Sequence, residues 1–350
     1  MKKFTLFIVC LLISYTTLFS QNQKKTYQIR TIAFYNLENL FDTINDPLIN
    51  DDEFTPKGTN KYTPEVYKDK LEKLARVLSE IGSEESKNSP VIIGVCELEN
   101  RSVLEDLVKT GNLKDKRWGI VHYNSPDARG IDVALLYQEK FFKPVNHKSF
   151  DLPLYDEGKR YYTRDQLMVS GYLDGELIHL IVNHWPSRRG GEAVSRPSRE
   201  KAAALNVEIM NEIKRNEPNA KIISMGDLND DPINSSLKNI LKTESNRKKV
   251  IEGGNFNPFE EMFKRGLNTL GFRDNINLFD QIFFTSNFIT NDNDYTSYRF
   301  YKAGIYNPSY LINKEGQYKG YPMRSYSNST YAGGYSDHFP VFIYLIREQK

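Results

Sequence analysis

Carboxylate, amide and imidazole side chains stand at the ends of several short apolar runs in this sequence. The runs that begin at Ile32, Val91, Leu180 and Ile222 lead into Asn36 and Glu38, into Glu97, into His184, and into Asp227 and Asn229; Asp280, Asp337 and His338 precede two further runs. A single Asp or Asn after a strand is more often a turn residue or a helix cap. Repetition at so many run ends instead favours one shared cleft. Carboxylates without cysteine ligands indicate a hard cation, Mg²⁺ or alternatively Mn²⁺ or Ca²⁺, rather than structural zinc.

The apolar runs have the length and residue types of buried strands. The predicted strands cover residues 31–36, 91–97, 131–137, 178–184, 222–227, 281–285 and 339–345. These strands have to position the polar residues at their ends.

Helical spacing of apolar residues appears between these strands. The spacing over residues 64–81 predicts a helix that is capped by Thr63 and ended by Gly82. A second helix is predicted after Pro197, and a third, shorter one over residues 100–108. Strands and helices mixed in this way, without a linker or repeat, indicate a layered α/β fold.

Composition and charge exclude several classes of protein. Hydrophobic residues make up 39% of the 350 residues and charged residues 26%, which is typical of a folded domain rather than of a disordered or fibrous chain. Lys and Arg number 47 against 45 Asp and Glu. A chain so close to neutral does not bind nucleic acid or membranes through bulk positive charge, so any basic binding surface must be local.

Residues 1–20 resemble a secretory signal peptide. Lys2 and Lys3 precede an apolar run that is too short to span a bilayer, and no other stretch approaches that length. We therefore expect an exported protein, periplasmic or secreted, whose residues 21–350 form a single domain. Only Cys96 would remain after cleavage, so no internal disulfide is expected. The sequence indicates no stable protein partner.

Seven segments together resemble the endonuclease/exonuclease/phosphatase superfamily, in the order in which that family carries its motifs. They are Phe34-Tyr35-Asn36-Leu37-Glu38-Asn39, Val95-Cys96-Glu97-Leu98-Glu99, residues 130–137, Asn183-His184-Trp185-Pro186, Gly226-Asp227-Leu228-Asn229, Asp280-Gln281-Ile282 and Ser336-Asp337-His338-Phe339-Pro340. The resemblance implies a four-layer α/β sandwich, with two mixed, mostly antiparallel sheets face to face and helices outside. It also implies that residues 21–350 form one catalytic domain.

The resemblance assigns roles to the strand-end residues. Glu97 would be the principal metal ligand, with Asn36 beside it and Asp337 completing the metal side. Asp227 would orient or deprotonate the attacking water, and Asn229 would hold the phosphate or that water.

The histidines and arginines also receive roles from the resemblance. His338 would contact a phosphate oxygen while its other ring nitrogen bonds to Asp280. His184 would be catalytic, although the family varies at this position. Arg129 would support the phosphate region. Independently of the resemblance, a nuclease should carry basic residues near its cleft, so Arg164, and Arg188 just after His184, are also candidates for binding the substrate. A solvated helix start is the alternative for Arg188.

The substrate class stays open at this point. The leading interpretation is a metal-dependent phosphodiesterase that hydrolyses nucleic acid, and the alternative is a phosphatase or phosphodiesterase acting on a lipid headgroup or another small phosphorylated compound. A catalytically silent binding protein on the same fold is disfavoured because each expected position carries a chemically competent residue.

The segment 295–335 is the most unusual stretch of the sequence. It contains ten of the 22 tyrosines, and its basic residues Arg299, Lys302, Lys314, Lys319 and Arg324 outnumber its one acidic residue, Glu315. Because the segment lies between Asp280 and Asp337, we expect it to form one wall of a groove for a polymeric or aromatic phosphodiester. Packing of the tyrosines onto the sheets is the alternative.

Overall fold

A computed structural model describes residues 25–272, 275–289 and 294–349. The predicted signal peptide, residues 1–20, lies outside the described residues. The strands, in chain order, are β1 (Tyr27–Leu40), β2 (Ile92–Leu98), β3 (Trp118–His122), β4 (Asp132–Gln138), β5 (Phe142–Phe150), β6 (Leu154–Asp156), β7 (Lys159–Tyr161), β8 (Gln166–Leu173), β9 (Glu176–His184), β10 (Ile222–Asp227), β11 (Thr243–Glu244), β12 (Asn255–Phe256), β13 (Leu270–Phe272), β14 (Asn275–Asn277), β15 (Asp280–Thr285), β16 (Arg299–Ile305), β17 (Tyr326–Ser327), β18 (Thr330–Tyr331) and β19 (Val341–Glu348).

Two large sheets form the centre of the molecule. The first has six strands in the order β16-β19-β1-β2-β4-β3, and the second has seven in the order β11-β12-β15-β10-β9-β8-β5. The pairs β1–β2, β9–β10 and β11–β12 are parallel, whereas the other neighbours in both sheets are antiparallel. The hairpins β6–β7, β13–β14 and β17–β18 lie outside these sheets.

Alternation of side chains along the central strands separates the layers. Ile32 and Phe34 of β1 join a core cluster that contains Val182 and Met225 of the second sheet, so this cluster fills the space between the sheets. Ala33 and neighbouring odd-numbered residues point the other way, into a cluster shared with the helices. This arrangement confirms the predicted four-layer sandwich of two mixed, mostly antiparallel sheets flanked by helices.

The helices cover the outer faces of the two sheets. They are α1 (Pro64–Glu80), α2 (Ser83–Ser86), α3 (Arg101–Val108), α4 (Glu192–Asn216) and α5 (Phe259–Lys264), with a π-helix at Ser236–Ile240 and 3₁₀ turns at Asp52–Phe54, Gly111–Leu113, Arg247–Lys249, Ser286–Phe288 and Ser309–Leu311. Helix α1 is capped by Thr63, whose side chain accepts a hydrogen bond from the Val66 amide, and Gly82 follows in the left-handed conformation. Both features were predicted.

Helix α4 corrects the predicted helix start. It begins at Glu192 and contains Pro197, whereas the sequence placed its beginning after that proline. Pro197 is the sixth residue of the helix, beyond the first turn whose amides have no intrahelical partner, so it removes one hydrogen bond from the helix. The buried Arg199 donates to Ser195 of the same helix and to Asp230 outside it at 2.6 Å, which ties this first part of α4 to the protein.

The segment after β15 is more regular than the sequence indicated. Strand β16 pairs with β19, with Arg299 opposite Ile346 and Lys302 opposite Tyr344. Ile346 lies eight residues beyond His338, which is about 26 Å along an extended strand. Arg299 and Lys302 therefore do not belong to the groove wall predicted for this segment, because they lie toward the opposite end of the sheet.

Candidate metal and phosphoester site

The strand register brings the chemically active residues to one edge of the two sheets. In the second sheet, Asp227 lies opposite both His184 of β9 and Asp280 of β15. In the first sheet, Asn36 lies opposite Cys96, directly before Glu97. The ends of parallel neighbours meet at the same edge of a sheet, and the two sheets face each other, so these residues share one cleft.

Irregular backbone aims several of these side chains. Glu97 and Asn229 have φ values of 58° and 50°, which is the left-handed region that non-glycine residues seldom adopt. Glu38 and Asn39 share this feature, at 47° and 57°, within a break in the pairing of β1 with β2. Strained backbone of this kind concentrates at functional sites, where surrounding structure holds it.

Three of the predicted residues converge closely enough to hold a metal ion. Ligand atoms of Glu97, His184 and Asp227 all lie within 4.8 Å of one another. His184 Nε2 lies 3.7 Å from Glu97 Oε1 and 3.6 Å from Asp227 Oδ2, and the Asn36 amide donates to the same Asp227 oxygen at 3.2 Å. Two carboxylates and an imidazole form a ligand set for a divalent cation.

His338 and Asp280 form a second group beside these ligands. His338 Nδ1 lies 2.7 Å from Asp280 Oδ2, and its Nε2 lies 3.8 Å from Asp227 Oδ2. Asp337, predicted on the metal side, lies next to His338: its Oδ1 is 4.0 Å from His338 Nε2, and its Oδ2 accepts a hydrogen bond from Arg324 at 2.8 Å. Asp337 is thus not one of the three converging ligands.

Burial and neighbouring charges shift the pKa values of the two site histidines in opposite directions. Burial lowers the pKa of His184 well below its usual value, and Arg164 and Arg129 lower it further. Burial also opposes the charged form of His338, but the carboxylates of Asp280 and Asp227 outweigh it and raise the pKa of His338 well above its usual value. A neutral imidazole can bind a metal, whereas a protonated one can hold an anionic oxygen.

Asp227 and Asn229 occupy the centre of the site. Burial raises the pKa of Asp227 above its usual range, and the charge of His338 opposes this shift. The Asn229 amide N–H donates to Asp227 Oδ1 at 3.0 Å, and its side-chain amide donates to the Trp185 carbonyl at 3.0 Å. Asp227 thereby has its second oxygen directed at the metal ligands and His338.

The three predicted substrate-binding arginines differ in how much of each remains accessible. Arg164 is buried and donates to Asp127 at 3.1 Å and to the Trp185 carbonyl at 2.6 Å. Arg188 donates to the Asn229 carbonyl at 2.9 Å and contacts further carboxylates. Arg129 keeps 50% of its side chain exposed beside Asp127. Its electrostatic effect on His184 indicates that it lies near the cleft.

A buried polar network beneath the cleft was not predicted. Glu38 accepts hydrogen bonds from the amide and hydroxyl of Ser325 at 2.6 and 2.8 Å. The fully buried Lys70 donates to the Glu38 carbonyl at 2.7 Å and to the Ser325 hydroxyl at 2.8 Å. This network fixes Arg324, and hence its ion pair with Asp337, to the end of β1. A lysine on the apolar face of α1 was the only sequence signal for it.

The comparison with known families decides the protein's classification. Residues 31–347 match the Endonuclease/Exonuclease/phosphatase family. The chain belongs to this family. Its members hydrolyse phosphoric esters with the help of a divalent cation.

No helix among the described residues is long and apolar enough to cross a membrane. No curated protein is significantly similar to the chain in sequence.

Several solved structures share the fold at low sequence identity. TDP2 from D. rerio, in a humanized form, is 15% identical with a TM-score of 0.52, over 91% of this chain and 98% of its own. A family protein from Bacteroides thetaiotaomicron is 18% identical, with a TM-score of 0.51 over 93% and 97% of the two chains. A mannosyl-6-phosphatase from the same organism is 18% identical, with a TM-score of 0.53 over 90% and 99%.

Proposed function

We propose that this protein is a divalent-metal-dependent phosphodiesterase that hydrolyses nucleic acid. The observation that carries the catalytic part is the convergence of Glu97, His184 and Asp227 within 4.8 Å, directly beside the hydrogen-bonded pair of His338 and Asp280. The ligands for a cation thus lie on one side of this space, and His338, a positively charged hydrogen-bond donor, lies on the other. Such an arrangement positions a phosphate and neutralises its charge, which is most of what phosphoryl transfer requires of a protein.

The cation fits the donor set. Glu97, His184 and Asp227 would hold it, with the Asn36 side chain next to them; the two carboxylates favour Mg²⁺ or Mn²⁺. When bound, a divalent cation polarises a phosphoryl oxygen and stabilises the leaving oxygen. Asp337, the other predicted ligand, lies beside His338, and its part in metal binding stays a prediction.

The remaining residues accept the proton of the attacking water and stabilise the negative charge of the phosphate. Asp280 orients His338, and the protonated Nε2 of His338 donates to a phosphate oxygen. Asp227, whose pKa is raised by burial, is placed to accept a proton from the attacking water. Asn229 is held against Asp227 and Trp185, so it fixes the position of that base.

Two observations bear on the substrate class. TDP2 of D. rerio has been crystallised with a single-strand DNA product, at 14% identity and a TM-score of 0.51, and in this chain the half-exposed Arg129 is available to a phosphate backbone. The internal bonds of Arg164 and Arg188 favour the alternative, a small phosphorylated compound, as does the likeness to a mannosyl-6-phosphatase.

Export completes the proposal. Lys2, Lys3 and the apolar run after them support secretion to the periplasm or the exterior, where nucleic acid or phosphorylated nutrients would be the substrates.

A substrate panel tests this function. Purified protein is incubated with single-stranded and duplex DNA, RNA, sugar phosphates, inositol phosphates and sphingomyelin, each with Mg²⁺, Mn²⁺ or Ca²⁺ and with EDTA. The proposal expects cleavage of nucleic acid that EDTA abolishes. Hydrolysis of a small phosphate ester without any cleavage of nucleic acid would replace it with the alternative, and full activity in EDTA would remove the metal-dependent mechanism.

A further inference from the structure

A cleft of about 460 Å³ opens beside the catalytic residues. Asp337 and Arg324 line one side of it, and residues of the segment 313–323 line the other. Asp337 Oδ1 lies 4.0 Å from His338 Nε2, so the cleft adjoins the space where a phosphate oxygen would meet His338. A group attached to that phosphate would therefore extend into the cleft. Its volume is in the range of small-molecule sites.

The lining of the cleft carries no unpaired charge. Among the described residues that line it, the charged ones are Arg324 and Asp337, and these bond to each other at 2.8 Å. Arg324 also lies 3.6 Å from Glu38. A second phosphate would find only Arg324, which is already paired with Asp337. The cleft is therefore suited to an uncharged group.

Aromatic rings and side-chain amides make up much of the lining. The rings of Tyr318 and Tyr321 lie 5.9 Å apart at 48° to each other, and 53% of Tyr318 is exposed. Gln317 adds an exposed amide, which can both donate and accept. A nucleobase offers a flat face for stacking and donor and acceptor edges for amides, so it matches both kinds of lining group.

The wall of the cleft is built before any ligand binds. Backbone hydrogen bonds join Asn313 to Tyr321 at 2.9 Å and Gly320 to Asn313 at 2.8 Å, and the Asn313 side chain donates to the Pro322 carbonyl at 2.8 Å. Gly271 lets the Tyr321 ring approach, since a Cβ atom there would lie 2.5 Å from it. A preformed wall loses little freedom on binding.

We propose that this cleft is the subsite for the nucleobase of the nucleotide whose phosphate is cleaved. The inference rests on the proposed function, since it names the part of a nucleic acid that this chain would recognise. It also revises the expected groove wall: the aromatic contribution comes from Tyr318 and Tyr321, while the basic residues Arg299 and Lys302 lie elsewhere.

Matched substrates test the subsite. kcat/KM is measured for thymidine 5′-(p-nitrophenyl phosphate) against methyl p-nitrophenyl phosphate, and for thymidine 5′-monophosphate against methyl phosphate. A 2-deoxyribose ester without the base is measured alongside each pair. Wild type should prefer the thymidine compounds, and Tyr318→Ala should reduce that preference about tenfold while leaving the methyl esters unchanged. Tyr301→Ala is the control, because Tyr301 is another exposed tyrosine, 46% accessible, but lies on β16.

The outcomes separate the subsite from the proposed function. The subsite is contradicted if wild type shows no preference for thymidine, or if the preference survives both Tyr318→Ala and the double change with Gln317→Ala. An equal effect of Tyr318→Ala on the base-free ester would show that the cleft holds the sugar, and would overturn the nucleobase assignment. Hydrolysis of the monoester pair alone would remove the phosphodiesterase function, and the same thymidine preference in that pair would still decide for or against the subsite.

Discussion

The pairing of His338 with Asp280 makes a quantitative prediction about kinetic coupling. The two side chains are 8% and 0% exposed and are joined by a hydrogen bond of 2.7 Å. If Asp280 acts only by orienting His338 and keeping it protonated, Asp280→Asn and His338→Gln remove the same contribution. Loss of a donor that stabilises charge on the reacting group typically costs a factor of 10²–10³, so each single change should lower kcat by up to about a thousandfold. Independent residues would together lose about a millionfold.

The double variant should instead lose about as much as either single variant. The difference between a thousandfold and a millionfold corresponds to a coupling free energy of about 4 kcal/mol. kcat is measured at saturating substrate and metal, with thermal unfolding to confirm that each variant folds. His179→Gln serves as the control. His179 lies on the same strand as His184 but away from the cleft, and its Nε2 lies 3.0 Å from Glu217. Its replacement should therefore leave kcat unchanged. Multiplicative losses in the double variant would refute the coupling.

Two further predictions concern the base and the network beneath the cleft. Asp227→Asn should lower kcat more than Asn229→Ala, because Asp227 accepts the proton whereas Asn229 only holds Asp227 in position. The reverse order of kcat values in steady-state kinetics would show that Asp227 is not the base. Lys70→Met should destabilise the protein by at least about 2 kcal/mol in urea unfolding, because it removes two hydrogen bonds from a charged, fully buried donor. Lys68→Met, whose side chain is 78% exposed, should be nearly neutral, and equal unfolding free energies for both variants would show that the network contributes nothing.

The central strands and the site residues at their ends were predictable because period and position carry the information. Buried strands are short apolar runs, and the polar residue that follows each run lies at the sheet edge whatever the rest of the chain does. Asp227 and Asp280 meet in this way, because their strands pair in the second sheet. The packing of two mixed sheets against each other was supplied by the family resemblance rather than by these local patterns, and the order of strands within each sheet was not predicted.

The errors arose where tertiary contacts outweigh local patterns. Pro197 is a reasonable helix boundary in isolation, but buried bonds of Arg199 and Ser195 hold the turn before it in a helix. Strand β16 is short and carries polar residues, so its pairing with β19 leaves no clear period. The buried network of Lys70, Glu38 and Ser325 was missed because it joins distant segments, and no spacing in the sequence encodes it.

Metal binding by Glu97 is the most direct test of the central claim. Mn²⁺ affinity is measured by electron paramagnetic resonance on wild type, on Glu97→Gln and on Glu105→Gln, which changes an exposed carboxylate on α3, and hydrolysis is measured on the same samples. We predict that Glu97→Gln keeps its fold, binds Mn²⁺ at least tenfold more weakly and loses most activity, while Glu105→Gln matches wild type. Wild-type Mn²⁺ affinity and turnover in Glu97→Gln would contradict a metal-dependent phosphoesterase centred on this residue.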